Sequence, residues 1–213
     1  MARNNLRVRV IQSLDEISAS EWDACANPPS ANRLATDAES PSEAPDSASQ
    51  RNSLRADSKS QGRNPNPFVS HAFLSALERS GSATAKTGWA GRHLLVEDAE
   101  GRVIGAAPCY LKSHSRGEYV FDFGWAEAYE QAGGRYYPKL QASVPFTPVT
   151  GPRLLASRSA DPARVRSTLL NALVELCRIS DASSVHITFP TEEEWRALGG
   201  HGWLQRTDQQ FHW

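Results

Sequence analysis

Arg102-Val-Ile-Gly-Ala-Ala-Pro-Cys-Tyr-Leu-Lys112 reads as a long extended run interrupted once, at Pro108. Proline cannot donate to a strand ladder, so the run predicts an edge position or a bulge at that residue. Immediately upstream, His93-Leu-Leu-Val-Glu97 is a second strand. Asp98-Ala-Glu-Gly101 joins the two as a tight turn, with glycine where a type I turn favours it. A hairpin is therefore the centre of the predicted fold.

Further elements flank it. Leu6, Val8 and Val10 alternate with Arg7 and Arg9, which predicts an N-terminal strand. Leu14, Ile17, Trp22 and Cys25 fit short helical turns after it. Ser70 is an expected N-cap, with Val69 stapled onto Leu74 and with Phe73, Leu74 and Leu77 as the buried face of a helix. Downstream, Tyr119-Val-Phe-Asp-Phe123 and Ala142 to Val149 read as extended. Val165, Leu169, Leu173 and Leu176 recur at helical spacing over Ala163 to Ile179, with Pro162 at an N1-like position behind Asp161. Ser184 to Phe189 reads as a buried strand, Glu192 to Leu198 as a short helix and Gln205 to Trp213 as a last alternating strand. This order predicts an α/β fold: a mixed, mainly antiparallel sheet flanked by helices.

Asn27 to Asn66 differs from the rest. It contains no Val, Ile, Met or aromatic residue and is crowded with Ser, Ala, Asp, Asn and Pro. Such a stretch buries too little apolar surface to offset the entropy of ordering it, so residues 27–66 are expected to be a disordered, low-complexity insertion. Residues 1–26 then supply the first strand and helix of the domain, and 67–213 supply the remainder.

Composition limits the function. Lys and Arg number 23 against 24 Asp and Glu, for a net charge of −1, so no general attraction to DNA or to a charged membrane is expected. No apolar run is long enough for a signal peptide or a membrane-spanning helix. Cys25, Cys109 and Cys177 are sparse and unpaired by spacing, which fits a reducing compartment and a cytoplasmic address. The six histidines show neither HExxH nor Cys-His spacing, so no metal site is expected.

The densest chemistry lies between the strands. Asp122, Trp125, Glu127 and Tyr129 are close in sequence to Tyr136, Tyr137 and Lys139, around Gly133-Gly134. Aromatics, carboxylates and a lysine on loops at strand ends suit a ligand cleft. Aromatics in the core with solvated charges would produce the same composition, and both readings stay open. In the cleft reading, Glu127 or Asp122 is the general base, Lys139 anchors a carboxylate or phosphate, and the aromatics contact substrate. His114, between Ser113 and Ser115, is a further acid or base candidate. His186 and Cys109, each within a strand, read as structural.

Several segments together resemble one known family. They are Asn66-Pro-Phe-Val-Ser-His-Ala-Phe-Leu74, Pro108-Cys-Tyr-Leu-Lys-Ser-His-Ser115, Gly117-Glu-Tyr-Val-Phe-Asp122, Trp125-Ala-Glu-Ala-Tyr129, Tyr136-Tyr-Pro-Lys-Leu-Gln141 and Val144-Pro-Phe-Thr-Pro-Val-Thr-Gly-Pro-Arg-Leu-Leu155. These resemble the FemAB-like, peptidoglycan biosynthesis/recognition proteins, grouped with the GNAT-type N-acyltransferases. The resemblance implies a GNAT-like fold and transfer of an acyl or aminoacyl group to an amine of a peptidoglycan-precursor or other small, peptide-like acceptor. It implies acetyl-CoA or aminoacyl-tRNA as donor, with no resident cofactor. It also implies a second GNAT-like half, since relatives continue for about as long again. The strand ending at Trp213 would then mark a truncation.

A CoA-dependent member of that superfamily cradles pyrophosphate in a Q/R-x-x-G-x-G/A turn. Here Thr150-Gly-Pro-Arg-Leu-Leu-Ala-Ser-Arg-Ser-Ala-Asp-Pro162 precedes the long helix. The pattern is absent, and Gly151, Arg153, Arg158 and Arg164 are the candidates left to meet a phosphate. A non-catalytic peptide or glycan recognition module, and an inactive fragment, are the alternatives to an enzyme.

Overall fold

The computed structural model describes residues 6–28 and 65–207. The expected insertion lies almost wholly outside the described residues. Where the chain leaves and rejoins the described structure, Asn27 Nδ2 donates to the Asn66 carbonyl at 3.0 Å, and Asn66 N donates to Asn27 Oδ1 at 2.7 Å.

Two four-stranded sheets form the framework. The first comprises β1 (Arg7–Ile11), β3 (His93–Glu97), β4 (Val103–Ala107) and β7 (Leu155–Ala156), in that order and antiparallel throughout. The second comprises β2 (Trp89–Gly91), β5 (Cys109–Lys112), β6 (Lys139–Ala142) and β8 (Val185–Ile187). Its β2-β5 and β5-β6 pairs are antiparallel, and β6-β8 is parallel. Pro108 marks the passage between the sheets: β4 ends at Ala107 and β5 begins at Cys109. The missing ladder donor is used to divide one run between two sheets rather than to form a bulge. The turn before β4 closes as expected, with Gly101 N donating to the Asp98 carbonyl at 3.1 Å.

Alternation along β3 and β4 feeds two cores. Leu95 and Ala106 pack with Trp22, Cys25, Val69 and Leu74 from α1 (Ala19–Ala26) and α2 (His71–Arg79) and the turn before α2. Leu94, Val96 and Ala107 pack instead with Val165, Leu169 and Leu173 of α4 (Pro162–Ile179). Ser18 and Ser70 cap α1 and α2, and Trp22 Nε1 donates to the Val69 carbonyl at 2.9 Å, joining the helices. At Gly105 a side chain has no room, because an added Cβ would lie 2.3 Å from Val165 Cγ1. That glycine lets α4 lie directly on the sheet. Asp161 caps α4 through Ala163 N, with Pro162 in its first turn.

Four stretches differ from the sequence reading. In Ser184 to Phe189, expected as a buried strand, only Val185–Ile187 is extended and it is half-buried, with Phe189 at a φ of 51°. Tyr119-Val-Phe-Asp-Phe123 does not form a strand: Phe123 opens α3 (Phe123–Gln131), and Tyr119 has a φ of 56°. The pattern misleads because its apolar members face outward, with Phe121 76% exposed, while Glu118 and Asp122 turn inward onto Lys139. In Ala142 to Val149 only Ala142 belongs to a strand, since β6 lies earlier and Phe146 takes a φ of 57°. Of Gln205 to Trp213, residues 205–207 are irregular and exposed, and the rest lies outside the described residues. The short helix is α5 (Glu192–Gly200). The result is the expected mixed α/β architecture, with mainly antiparallel sheets flanked by helices. Among the described residues, no helix is long and apolar enough to cross a membrane.

Candidate functional site

The two faces of the second sheet carry different chemistry. Cys109, Leu111, Leu140, Val185 and Ile187 belong to the core under α4. The alternate residues Trp89, Tyr110, Lys112, Lys139, Gln141 and His186 occupy the opposite face, because side chains alternate along a strand and register partners share a face. Lys112 and Lys139 stand directly opposite each other on β5 and β6, and each is 0% exposed. Two like charges at such positions repel, so something must compensate them.

The segment between β5 and β6 does so. Lys139 Nζ donates to Ser115 Oγ at 2.8 Å, Glu118 Oε2 at 2.8 Å and Asp122 Oδ2 at 2.5 Å. Tyr136 donates to the same Asp122 oxygen at 2.8 Å, and Ser115 shares a 2.8 Å hydrogen bond with the Tyr137 hydroxyl. Asp122 is the N-cap residue of α3, yet its side chain makes no capping bond. It is spent on Lys139 instead. Lys112 is less well served: Glu118 Oε1 lies 3.9 Å away, the Arg116 carbonyl accepts at 3.4 Å, and the ammonium sits 3.4 Å over the Trp89 ring.

These contacts set the protonation states. Burial pulls Lys112 down to about 7, against the pull of Glu118. Burial likewise raises the Glu118 carboxyl above its usual range, although Lys139 opposes this. For Asp122, burial acts upward, but hydrogen bonds led by that from Lys139 outweigh it and hold the carboxyl low. His186 is lowered to about 4 by burial and then by Lys139, so it is neutral at physiological pH.

One further property marks this face. Among the described residues, seven buried side-chain polar atoms have no hydrogen-bond partner. Six of them are Trp89 Nε1, Tyr110 Oη, Glu118 Oε1, Asp122 Oδ1, Gln141 Oε1 and Ser143 Oγ. All belong to this sheet face or to the segment folded over it, since Ser143 continues the alternation of Lys139 and Gln141. An unpaired buried polar atom costs about 1–3 kcal/mol, so their concentration in one place points to function.

The structure thus gathers Asp122, Tyr136, Tyr137 and Lys139 into one cluster. Tyr129, half exposed on α3, borders the cluster, its ring edge-on to Tyr136 with centroids 6.2 Å apart. Trp125 and Glu127 are exposed elsewhere on α3, where Gln131 Nε2 donates to Glu127 Oε1 at 3.2 Å. His114 is half-buried beside Gly88, lowered by desolvation and by the neighbouring Lys112 and Arg116 charges. Arg153 is internal: its guanidinium reaches the Val149, Pro152 and Thr188 carbonyls, and its backbone N meets the Glu194 carboxylate. Gly151 is buried and donates to the Phe189 carbonyl, whereas Arg158 is exposed. Glu118, Lys112 and Trp89 are site members that the sequence reading did not single out. The available signal was Tyr110-Leu-Lys112 and Lys139-Leu-Gln141, two strands whose polar positions fall on one face. Among the described residues, no three His, Cys, Asp or Glu side chains are grouped to hold a metal ion.

The chain is similar to three solved acetyltransferases. An acetyltransferase of Trypanosoma brucei is 12% identical with a TM-score of 0.44, covering 98% of this chain and 99% of that one. A ribosomal-protein-alanine N-acetyltransferase of Brucella melitensis biovar Abortus 2308 is 10% identical with a TM-score of 0.48, covering 98% and 97%. A glucosamine-6-phosphate N-acetyltransferase of Arabidopsis thaliana is 6% identical with a TM-score of 0.43, covering 98% of each. No curated protein matches the chain significantly. The sequence model of one family, described as peptidoglycan biosynthesis/recognition, spans residues 13–213, and the chain therefore belongs to the FemAB-like family.

Proposed function

We propose that this chain is an N-acyltransferase domain that transfers an acyl or aminoacyl group to an amine, and that the polar face of the second sheet is where transfer occurs. The observation that carries the reading is the set of unpaired buried atoms on that face. Acyl transfer to an amine needs an acceptor for the amine proton and donors for the oxyanion that develops on the carbonyl. Glu118 and Asp122 each offer a free carboxylate oxygen, while Trp89 Nε1 and Tyr110 Oη are free donors. Membership of the FemAB-like family supports the same reaction class and a peptidoglycan-precursor amine as acceptor.

Roles follow from position. Asp122 is the base, and Tyr136 fixes its carboxylate. Tyr137 and Lys139 hold the cluster together, while Trp125, Glu127 and Tyr129 meet the acceptor from the exposed side of α3. Arg158 is the cation best placed to meet a donor phosphate, because the donors of Arg153 are committed. Acyl-CoA is the first donor to test and aminoacyl-tRNA the second.

Incubation with acetyl-CoA and a muropeptide, followed by mass spectrometry of the muropeptide, tests this reading. An acetylated amine is the expected product, and formation should fall in Asp122→Asn, which keeps the side chain's size and removes the base. Saturable muropeptide binding with no product from either donor would replace the enzyme reading with a recognition module.

A further inference from the structure

The unpaired atoms at the tip of the cluster define what is missing there. Glu118 and Asp122 each place one carboxylate oxygen on Lys139 and leave the other buried with no partner. Lys139 cannot supply them, because its three N–H groups already go to Ser115, Glu118 and Asp122. Lys112 meets Glu118 Oε1 only as an ion pair at 3.9 Å, too long for a hydrogen bond, so that oxygen is balanced in charge but receives no N–H. Gln141, on the sheet beneath, donates through Nε2 to Thr188 Oγ1 and leaves its Oε1 without a donor. Three buried acceptors, two of them carboxylate oxygens, thus lie on one side of the second sheet.

A neutral hydroxyl brings a single hydrogen and cannot satisfy two carboxylates. An anion would add repulsion. A primary ammonium brings three N–H donors and a positive charge, and its bonds to carboxylates are charge-assisted. We infer that Glu118 Oε1 and Asp122 Oδ1 form an enclosed site for a primary ammonium group, with Gln141 Oε1 as third acceptor. The inference rests on the amine-acceptor reading above and names Glu118 as the residue that selects the substrate's charge.

Entry follows from how the cluster is covered. Residues 117–134 form a flap bounded by Gly117 and Gly133, both with positive φ (78° and 84°), which glycine adopts without strain. Within the flap, α3 buries only Ala126. Beneath it, Glu118 and Asp122 bond Lys139 and Asp122 bonds Tyr136, while the Tyr129 ring meets Tyr136, Arg206 lies over Trp125 and Phe146 N donates to the Gly117 carbonyl. The flap's outer side carries Phe121, Phe123, Trp125 and Tyr129, all exposed, which would contact the body of an amine whose head is inside.

The test uses n-propylammonium chloride on the full chain, with 1-propanol and sodium propionate as controls. Isothermal titration should show saturable binding of the ammonium alone, and hydrogen–deuterium exchange over residues 117–134 should slow with it. Glu118→Gln should weaken that binding at least about tenfold, the loss of one charge-assisted hydrogen bond. Failure of the ammonium to bind, or an equal response to 1-propanol, overturns the inference in the wild-type chain alone and so does not depend on the variant folding. Equal affinity in a folded Glu118→Gln also overturns it. Ammonium binding without acetyl transfer would count against the transferase reading only, and transfer without ammonium binding against this inference only.

Discussion

The second sheet is held from its two sides by opposite means. On the α4 side, Leu140, Val185 and Ile187 meet Leu169, Leu173 and Leu176, and water is excluded from matched apolar surface. The fully buried Leu140, Leu169 and Leu173 each contribute about 1.5–3 kcal/mol by leaving water, and the half-buried Val185 and Ile187 contribute less. On the other side, two fully buried lysines meet two buried carboxylates, and removing four charges from water consumes most of what their attraction returns. The polar face survives because a covering segment neutralises it, and it is kept at a cost that packing alone does not explain.

The comparison is broken most severely at Lys139. Lys139→Met strands Glu118 and Asp122 without their shared cation, and the expected loss is about 3–5 kcal/mol. Urea denaturation should show a lower midpoint, with flap exchange rising to match that of exposed loops. An unchanged midpoint would mean that the polar cluster contributes nothing to folding. On the opposite face, Leu173→Ala should cost about 2–5 kcal/mol through lost burial and the cavity left behind, while flap exchange stays as in the wild type. The two variants therefore separate global stability from closure of the flap.

Lys112 sharpens the contrast between the lysines. Its folded pKa of about 7 lies below the ordinary lysine value, so between those limits the unfolded chain binds more protons than the folded one. Stability must then rise with pH in that window, because each proton released on folding is more easily lost as pH increases. Between pH 7 and about 8.5 the gain is about 2 kcal/mol. Higher pH is less informative, since the buried Cys25 and Cys109 thiols, raised to about 12, begin to act in the opposite sense as they ionise in the unfolded chain. Lys112→Met should remove the rise and should be neutral or stabilising at pH 6. A slope that persists in the variant would assign the titration to another group.

Local pattern made much of this fold legible. Alternation gave β1 and the β3-β4 hairpin, helical spacing with Pro162 gave α4, and Ser70 gave the start of α2. Pro108 was recognised as an interruption, but not as the point where one run joins two sheets, since sheet membership depends on partners remote in sequence. The site was half legible. Asp122, Tyr136, Tyr137 and Lys139 stood out by residue type and do meet. Glu118 and Lys112 did not, because a charged side chain on a loop or at a strand end looks solvated until the groups that bury it are known. Tyr119 to Phe123 misled for the converse reason: its alternation is real, but the buried alternates are Glu118 and Asp122 rather than the aromatics.

The smallest expected effect is at Trp125, and its smallness is informative. Trp125 is 62% exposed on α3, with the Arg206 guanidinium 5.2 Å from its ring as the contact on its surface. A buried tryptophan truncated to alanine loses about 3–5 kcal/mol, whereas an exposed one away from caps and networks stays within about 0.5 kcal/mol. Trp125→Ala should therefore leave the urea midpoint almost unmoved, in contrast to Trp89, whose ring lies under Lys112 in the interior. If Trp125 meets the acceptor, the same variant should weaken muropeptide binding, a readout that stability does not touch. A marked drop in stability would instead make α3 part of the packed fold, and the flap would no longer be a lightly fastened cover over the charged face.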